Sequence, residues 1–125
     1  VYYNENGAKF CREHPENHNA LYRLFNFINA RIWIRGSNFS GGSLYKSANL
    51  FDPRMYMTED GCCDITLTFT LPYDFYEVAP LESEDFITAA LPDLLNRLSP
   101  AIFFVILGKW SADEAILFLK NQGLG

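Results

Sequence analysis

Cys11, His14 and His18 form a C-x2-H-x3-H pattern. These are zinc-ligating residue types, and Cys62 or Cys63 would have to complete the set. Pro15 stands between the two histidines and disturbs the helical spacing that would put both rings on one face. The chain has no C-x2-C pair, and adjacent cysteines make poor joint ligands. No metal or other cofactor is therefore expected. Cys11 and His14 are also too close in sequence to imply a nucleophile with its base. Carboxylates are more numerous: Glu59 with Asp60, then Asp64, then Glu82 with Glu84 and Asp85. Acid–base catalysis needs two of them converging in a pocket with separated pKa values. A solvated acidic surface is the simpler reading. The stretch Gly36 to Ser43 is glycine-rich, but it lacks the Lys-Ser/Thr ending of a phosphate-binding loop and reads as a surface loop. No catalytic constellation is expected.

The charges are segregated. Residues 1–54 hold seven Lys and Arg against four acids, whereas residues 55–96 hold nine acids and no Lys or Arg. Within that acidic middle lies Tyr73-Asp74-Phe75-Tyr76-Glu77. Tyrosine supplies large, rigid contact area, and carboxylates steer and orient a basic partner. A net charge of −5 argues against binding nucleic acid or an anionic membrane surface, both of which call for a basic excess.

These groups sit in a chain of 125 residues, nearly half of them apolar. That is the length and composition of a single globular domain, residues 1–125. Twenty aromatic residues are enough to fill a core and leave some for a surface. The longest apolar run, Ala101 to Leu107, is too short to span a bilayer. No signal-peptide pattern is visible, and the chain begins at Val1 without Met, which leaves open a trimmed start or a removed leader. An odd number of cysteines, two of them adjacent, does not form a disulfide framework and suits a reducing cytoplasm.

Periodicity places the elements. Leu21, Leu24, Phe25, Ile28 and Ile32 follow one helical face, which predicts a helix from about Pro15 to Ala30. Ile32-Trp33-Ile34, alternating with Arg31 and Arg35, also fits a short strand. Cys63, Ile65, Leu67, Phe69 and Leu71 alternate with polar neighbours, the pattern of a half-buried strand. Met55-Tyr56-Met57-Thr58 should pair with it across Glu59-Asp60-Gly61. A three-residue loop with left-handed Gly61 predicts Met57 opposite Cys63 and Met55 opposite Ile65. Ser83 is expected to cap a helix opening with Glu84 and Asp85, and Pro92 to end, kink or restart it. Leu91, Leu94, Leu95 and Leu98 continue its apolar face. Residues 102–107 are rich in strand formers and favour a buried strand, although periodicity does not separate this from a buried helix. Ser111 and Glu114 form a capping box for a last helix with Ala115, Ile116 and Leu119 inward, stopped by Asn121-Gln122-Gly123. The expected fold class is α+β: an antiparallel hairpin packed against three to four helices.

In size, acidity and the stretch from Glu59 to Asp93, the chain resembles the immunity proteins of bacterial polymorphic-toxin and contact-dependent growth inhibition systems. The resemblance implies a non-catalytic cytoplasmic antitoxin whose partner is a basic protein, a cognate toxin domain. It implies a partner-binding face built from Glu59, Asp60, Tyr73, Asp74, Tyr76, Glu77, Glu82, Glu84 and Asp85. Inhibition would be steric and electrostatic, with carboxylates standing in for substrate phosphates. Two alternatives remain: a phage-type inhibitor that mimics nucleic acid with the same acids, and a small enzyme or ligand-binding domain with buried carboxylates.

Overall fold

The first helix, α1 (Glu5–Glu13), is not signalled by a long apolar repeat. Its inward side is made of small residues: Gly7, Ala8 and Cys11 are buried. The computed structural model describes residues 5–32, 54–71 and 73–124. The glycine-rich loop and the strand alternative beyond Ile32 therefore lie outside the described residues.

After α1, a 3-10 turn at Pro15–Asn17 leads into α2 (His18–Arg31), in agreement with the periodicity. Pro15 takes the first position of that turn, where its missing N–H costs nothing. Leu21, Leu24, Phe25 and Ile28 form the buried face of α2. Ile32 follows with extended backbone and is also buried.

Strands β1 (Arg54–Met57) and β2 (Ile65–Thr68) make the antiparallel hairpin, with β1 packed on α2. The inward face is the expected one: Met55, Met57, Ile65 and Leu67 are all buried. The register is not the expected one. Met57 lies opposite Ile65 and Met55 opposite Leu67, a slip of two residues. The turn is longer because Thr58 N–H donates to Asp64 O at 2.9 Å and Asp64 N–H donates to Thr58 Oγ1 at 2.9 Å. Glu59 to Cys63 then form the loop. Gly61 takes the left-handed φ expected of it (89°), but so does Cys63 (56°). Cys62 and Cys63 are thus turn residues. A slip of two preserves the pleat, so the apolar pattern alone did not discriminate between the registers. Among the described residues, the edge of β1 away from β2 is met by a side chain. Asn29 of α2 accepts from Met55 N–H (2.7 Å) and donates to Met55 O (3.1 Å).

Helix α3 (Tyr73–Val78) follows, and then a continuous helical run from Pro80 to Ile106. The run comprises α4 (Pro80–Asp85), a π-helical segment (Phe86–Ala90) and α5 (Leu91–Ile106). Two expectations are corrected here. The helix begins at Pro80, which suits its first turn, so Ser83 lies inside it and does not cap it. Ser83 is fully buried, and its hydroxyl donates to Ala79 O at 2.8 Å. Residues 102–106 are helix, not strand. Pro92 is absorbed by the change of hydrogen-bonding period before it: Leu91 N–H reaches back five residues to Phe86 O. Pro100 is carried inside the helix on an exposed position, and the preceding Ser99 hydroxyl donates to Leu95 O.

The strand formers of this region are accommodated because α5 is covered on several sides. It packs against α1, α2 and α6 (Ala112–Asn121), and Leu98, Ala101, Ile102, Val105 and Ile106 are buried. Among the described residues this run is the one helix long and apolar enough to cross a membrane; eight residues of its α5 part are buried in the protein core.

Both α5 and α6 end in the same way. Gly108 has φ 72°, with Gly108 N–H bonded to Val105 O and Lys109 N–H to Phe104 O. Gly123 has φ 78°, with Gly123 N–H bonded to Lys120 O and Leu124 N–H to Leu119 O. Each is a Schellman stop, in which glycine supplies the left-handed residue. The start of α6 matches the capping box: Ser111 Oγ accepts from Glu114 N–H at 3.2 Å. Trp110 lies between Phe104, which it meets edge-on, and Phe118, which it meets at a tilt, at centroid distances of 4.6 and 5.1 Å, and pins the α5–α6 corner. The whole is an α+β domain, mostly helical, with a two-stranded antiparallel sheet among the described residues.

Candidate functional site

Helix α3 has six residues, too short to be stable by itself. What holds it is Phe75, the residue of the Tyr-Asp-Phe-Tyr-Glu motif that turns inward. Its ring meets Phe86 edge-on at 6.4 Å, and Phe69, just after β2, packs on the same Phe86 ring at 6.4 Å. With Phe75 inward, the helical period sends its neighbours outward. Tyr73 is 71% exposed and Tyr76 50%, while Asp74 and Glu77 are exposed beside them. In α4, which packs against α3, Glu84 is exposed and Glu82 and Asp85 are partly so. Seven of the nine candidate residues therefore stand on two contacting helices.

Glu59 and Asp60 do not join them. They stand at the closed end of the hairpin, where Arg12 of α1 donates to Cys62 O at 2.8 Å. Helix α3 is tied instead to the open end, through Phe69 and Phe86. The pairs Thr58–Asp64 and Arg54–Thr68 bound the hairpin, about 13 Å apart at ~3.3 Å per residue. Asp60 is occupied locally: Cys62 N–H donates to its Oδ1 at 3.0 Å, which is the main reason its carboxyl lies below the usual range. The candidate residues thus divide into a turn cluster and an α3–α4 group.

Beside the α3–α4 residues stand exposed apolar side chains of α3, of α4 and of the π-helical segment that follows. Val78 is 86% exposed, Leu81 76% and Ile87 49%. With Tyr73 and Tyr76, they make five of the eight exposed large hydrophobic residues among those described. Their signal in the sequence was Pro80. A helix starting there buries Ser83, Phe86 and Ala90 on one side, which places Leu81 on the other.

The zinc-type residues do not assemble into a ligand set. His14 Nδ1 pairs with Glu16 Oε1 at 3.2 Å on the 3-10 turn. His18 Nε2 donates to Cys11 O at 2.6 Å, satisfying a carbonyl near the end of α1. The buried Cys11 thiol donates to Met57 Sδ at 3.0 Å. Burial is the main cause pushing that thiol up to about 11, a poor setting for a nucleophile. Among the described residues, no three His, Cys, Asp or Glu side chains are placed to hold a metal ion.

Asp74, Glu77 and Glu84 of α3 and α4 are all exposed, so this arrangement can contact a partner. No family model matches the chain, no curated protein matches it, and no solved structure matches it.

Proposed function

We propose that the chain is a non-catalytic protein-binding domain, an immunity-type antitoxin that neutralises a basic partner by covering its active site with the α3–α4 face. The observation that carries this reading is the co-location of Tyr73 and Tyr76 with Asp74, Glu77 and Glu84 on two contacting helices. Tyrosines at such a face act as anchors, and exposed carboxylates raise the rate of encounter with a basic surface. The partner is a cognate toxin domain, and the acids occupy the ground that its phosphate-bearing substrate would take. Three free cysteines, one buried, are in keeping with action in the cytoplasm.

The test is co-purification with the product of the adjacent gene, followed by binding kinetics of Asp74→Lys, Glu77→Lys and Glu84→Lys. The combined reversal should lower affinity at least about tenfold and remove most of the salt dependence of association. Unchanged affinity would dismiss the α3–α4 face as the binding surface.

A further inference from the structure

The exposed apolar residues of the α3–α4 face call for an occupant of their own. Between Tyr73 and Ile87 the chain has five acids and no Lys or Arg. Yet Val78 and Leu81, the junction of the two helices, are more exposed than any other large apolar residue described. A second copy of the chain would bring like charges together on this face. An anionic bilayer or a nucleic acid would be repelled by it. The complement is an element with an apolar stripe bordered by cationic side chains, which is what a cationic amphipathic helix presents.

We infer that this face receives a cationic amphipathic helix of the partner protein, and that Val78 and Leu81 hold it while the acids guide it in. The inference rests on the proposed role of α3–α4 as the binding face and assigns retention to residues other than the carboxylates. Apolar anchors act mainly on dissociation, and exposed charges mainly on association.

The probe is a synthetic Leu/Lys peptide of about five helical turns, apolar on one side, titrated into the full chain by stopped-flow fluorescence. The wild-type chain should bind it. Val78→Ser and Leu81→Ser should each weaken binding by about tenfold through faster dissociation, with an unchanged melting temperature. Asp74→Lys with Glu77→Lys should slow association and flatten its salt dependence. Absence of binding overturns the inference, as does equal binding of a peptide with its Leu residues scrambled around the helix. Self-association or capture by phosphatidylcholine vesicles through Leu81, in place of peptide binding, also overturns it. Sensitivity to the charge reversals without sensitivity to the serine variants refutes the anchors and leaves the acidic face standing. Insensitivity to both sets removes the face itself.

Discussion

Replacing Phe75 by Ala tests how the candidate face is held. Complete burial of a phenylalanine contributes about 1.5–3 kcal/mol. Phe75 is only partly buried, so roughly half of that applies, ~1–1.5 kcal/mol. Its edge-on pair with Phe86 adds about 0.5–1.5 kcal/mol. The substitution should then cost about 1.5–3 kcal/mol. The cost should fall on α3, because six residues do not hold a helix without tertiary contacts. At 2 kcal/mol the open population of α3 rises about 30-fold. Ala79 N–H, bonded to Phe75 O at 2.8 Å, is the reporter. Its hydrogen-exchange protection should fall by about that factor, while the melting temperature of the domain drops only a few degrees. Phe75→Leu keeps most of the buried area and should lose only the ring pairing, ~0.5–1.5 kcal/mol. Tyr76→Ala should leave Ala79 protected, since Tyr76 is half exposed. Protection within about threefold of wild type in Phe75→Ala would refute the argument.

Gly108→Ala combines strain with crowding, because φ is 72° and an added Cβ would sit 3.1 Å from Asn17 Nδ2, which donates to Ile106 O at 2.8 Å. Urea denaturation should show a loss of about 2–3 kcal/mol. Asn17→Ala should cost about 1 kcal/mol, and the double variant about 1 kcal/mol less than the sum; strict additivity would show that Asn17 and Gly108 do not interact. For Cys11, burial raises the thiol from 9.0 to about 11, Cys63 adds in the same direction and Arg12 opposes. A raised folded value means that the folded state holds the proton more tightly. The contribution is therefore complete below pH ~9 and lost as pH rises from about 9 through 11. It amounts to about 2–3 kcal/mol at ~1.36 kcal/mol per unit, and Cys11→Val should flatten stability across that window. In the native protein iodoacetamide should label exposed Cys62 well before Cys11; rapid labelling of Cys11 would contradict its burial.

Features that depend on neighbours a few residues apart are legible in the chain. The apolar face of α2, the hairpin's inward side, the capping box at Ser111 and the glycine stop at Gly123 were all legible, because each is a local pattern with a local cause. The segregation of acids into residues 55–96 was legible too, since it is a count. Features that depend on what lies opposite emerge only from packing. Residues 102–106 have strand-forming side chains, yet they are helical because α1, α2 and α6 cover α5. The hairpin register turned on the reciprocal hydrogen bonds between Thr58 and Asp64, which a pleat of period two does not reveal. Ser83 looked like a cap and proved to be a buried hydroxyl satisfied by Ala79. The candidate acids were legible as residues, but their division into a turn cluster and an α3–α4 group was not. That division follows from the single ring of Phe86, which gathers Phe69 and Phe75 at the end of the hairpin away from Glu59 and Asp60.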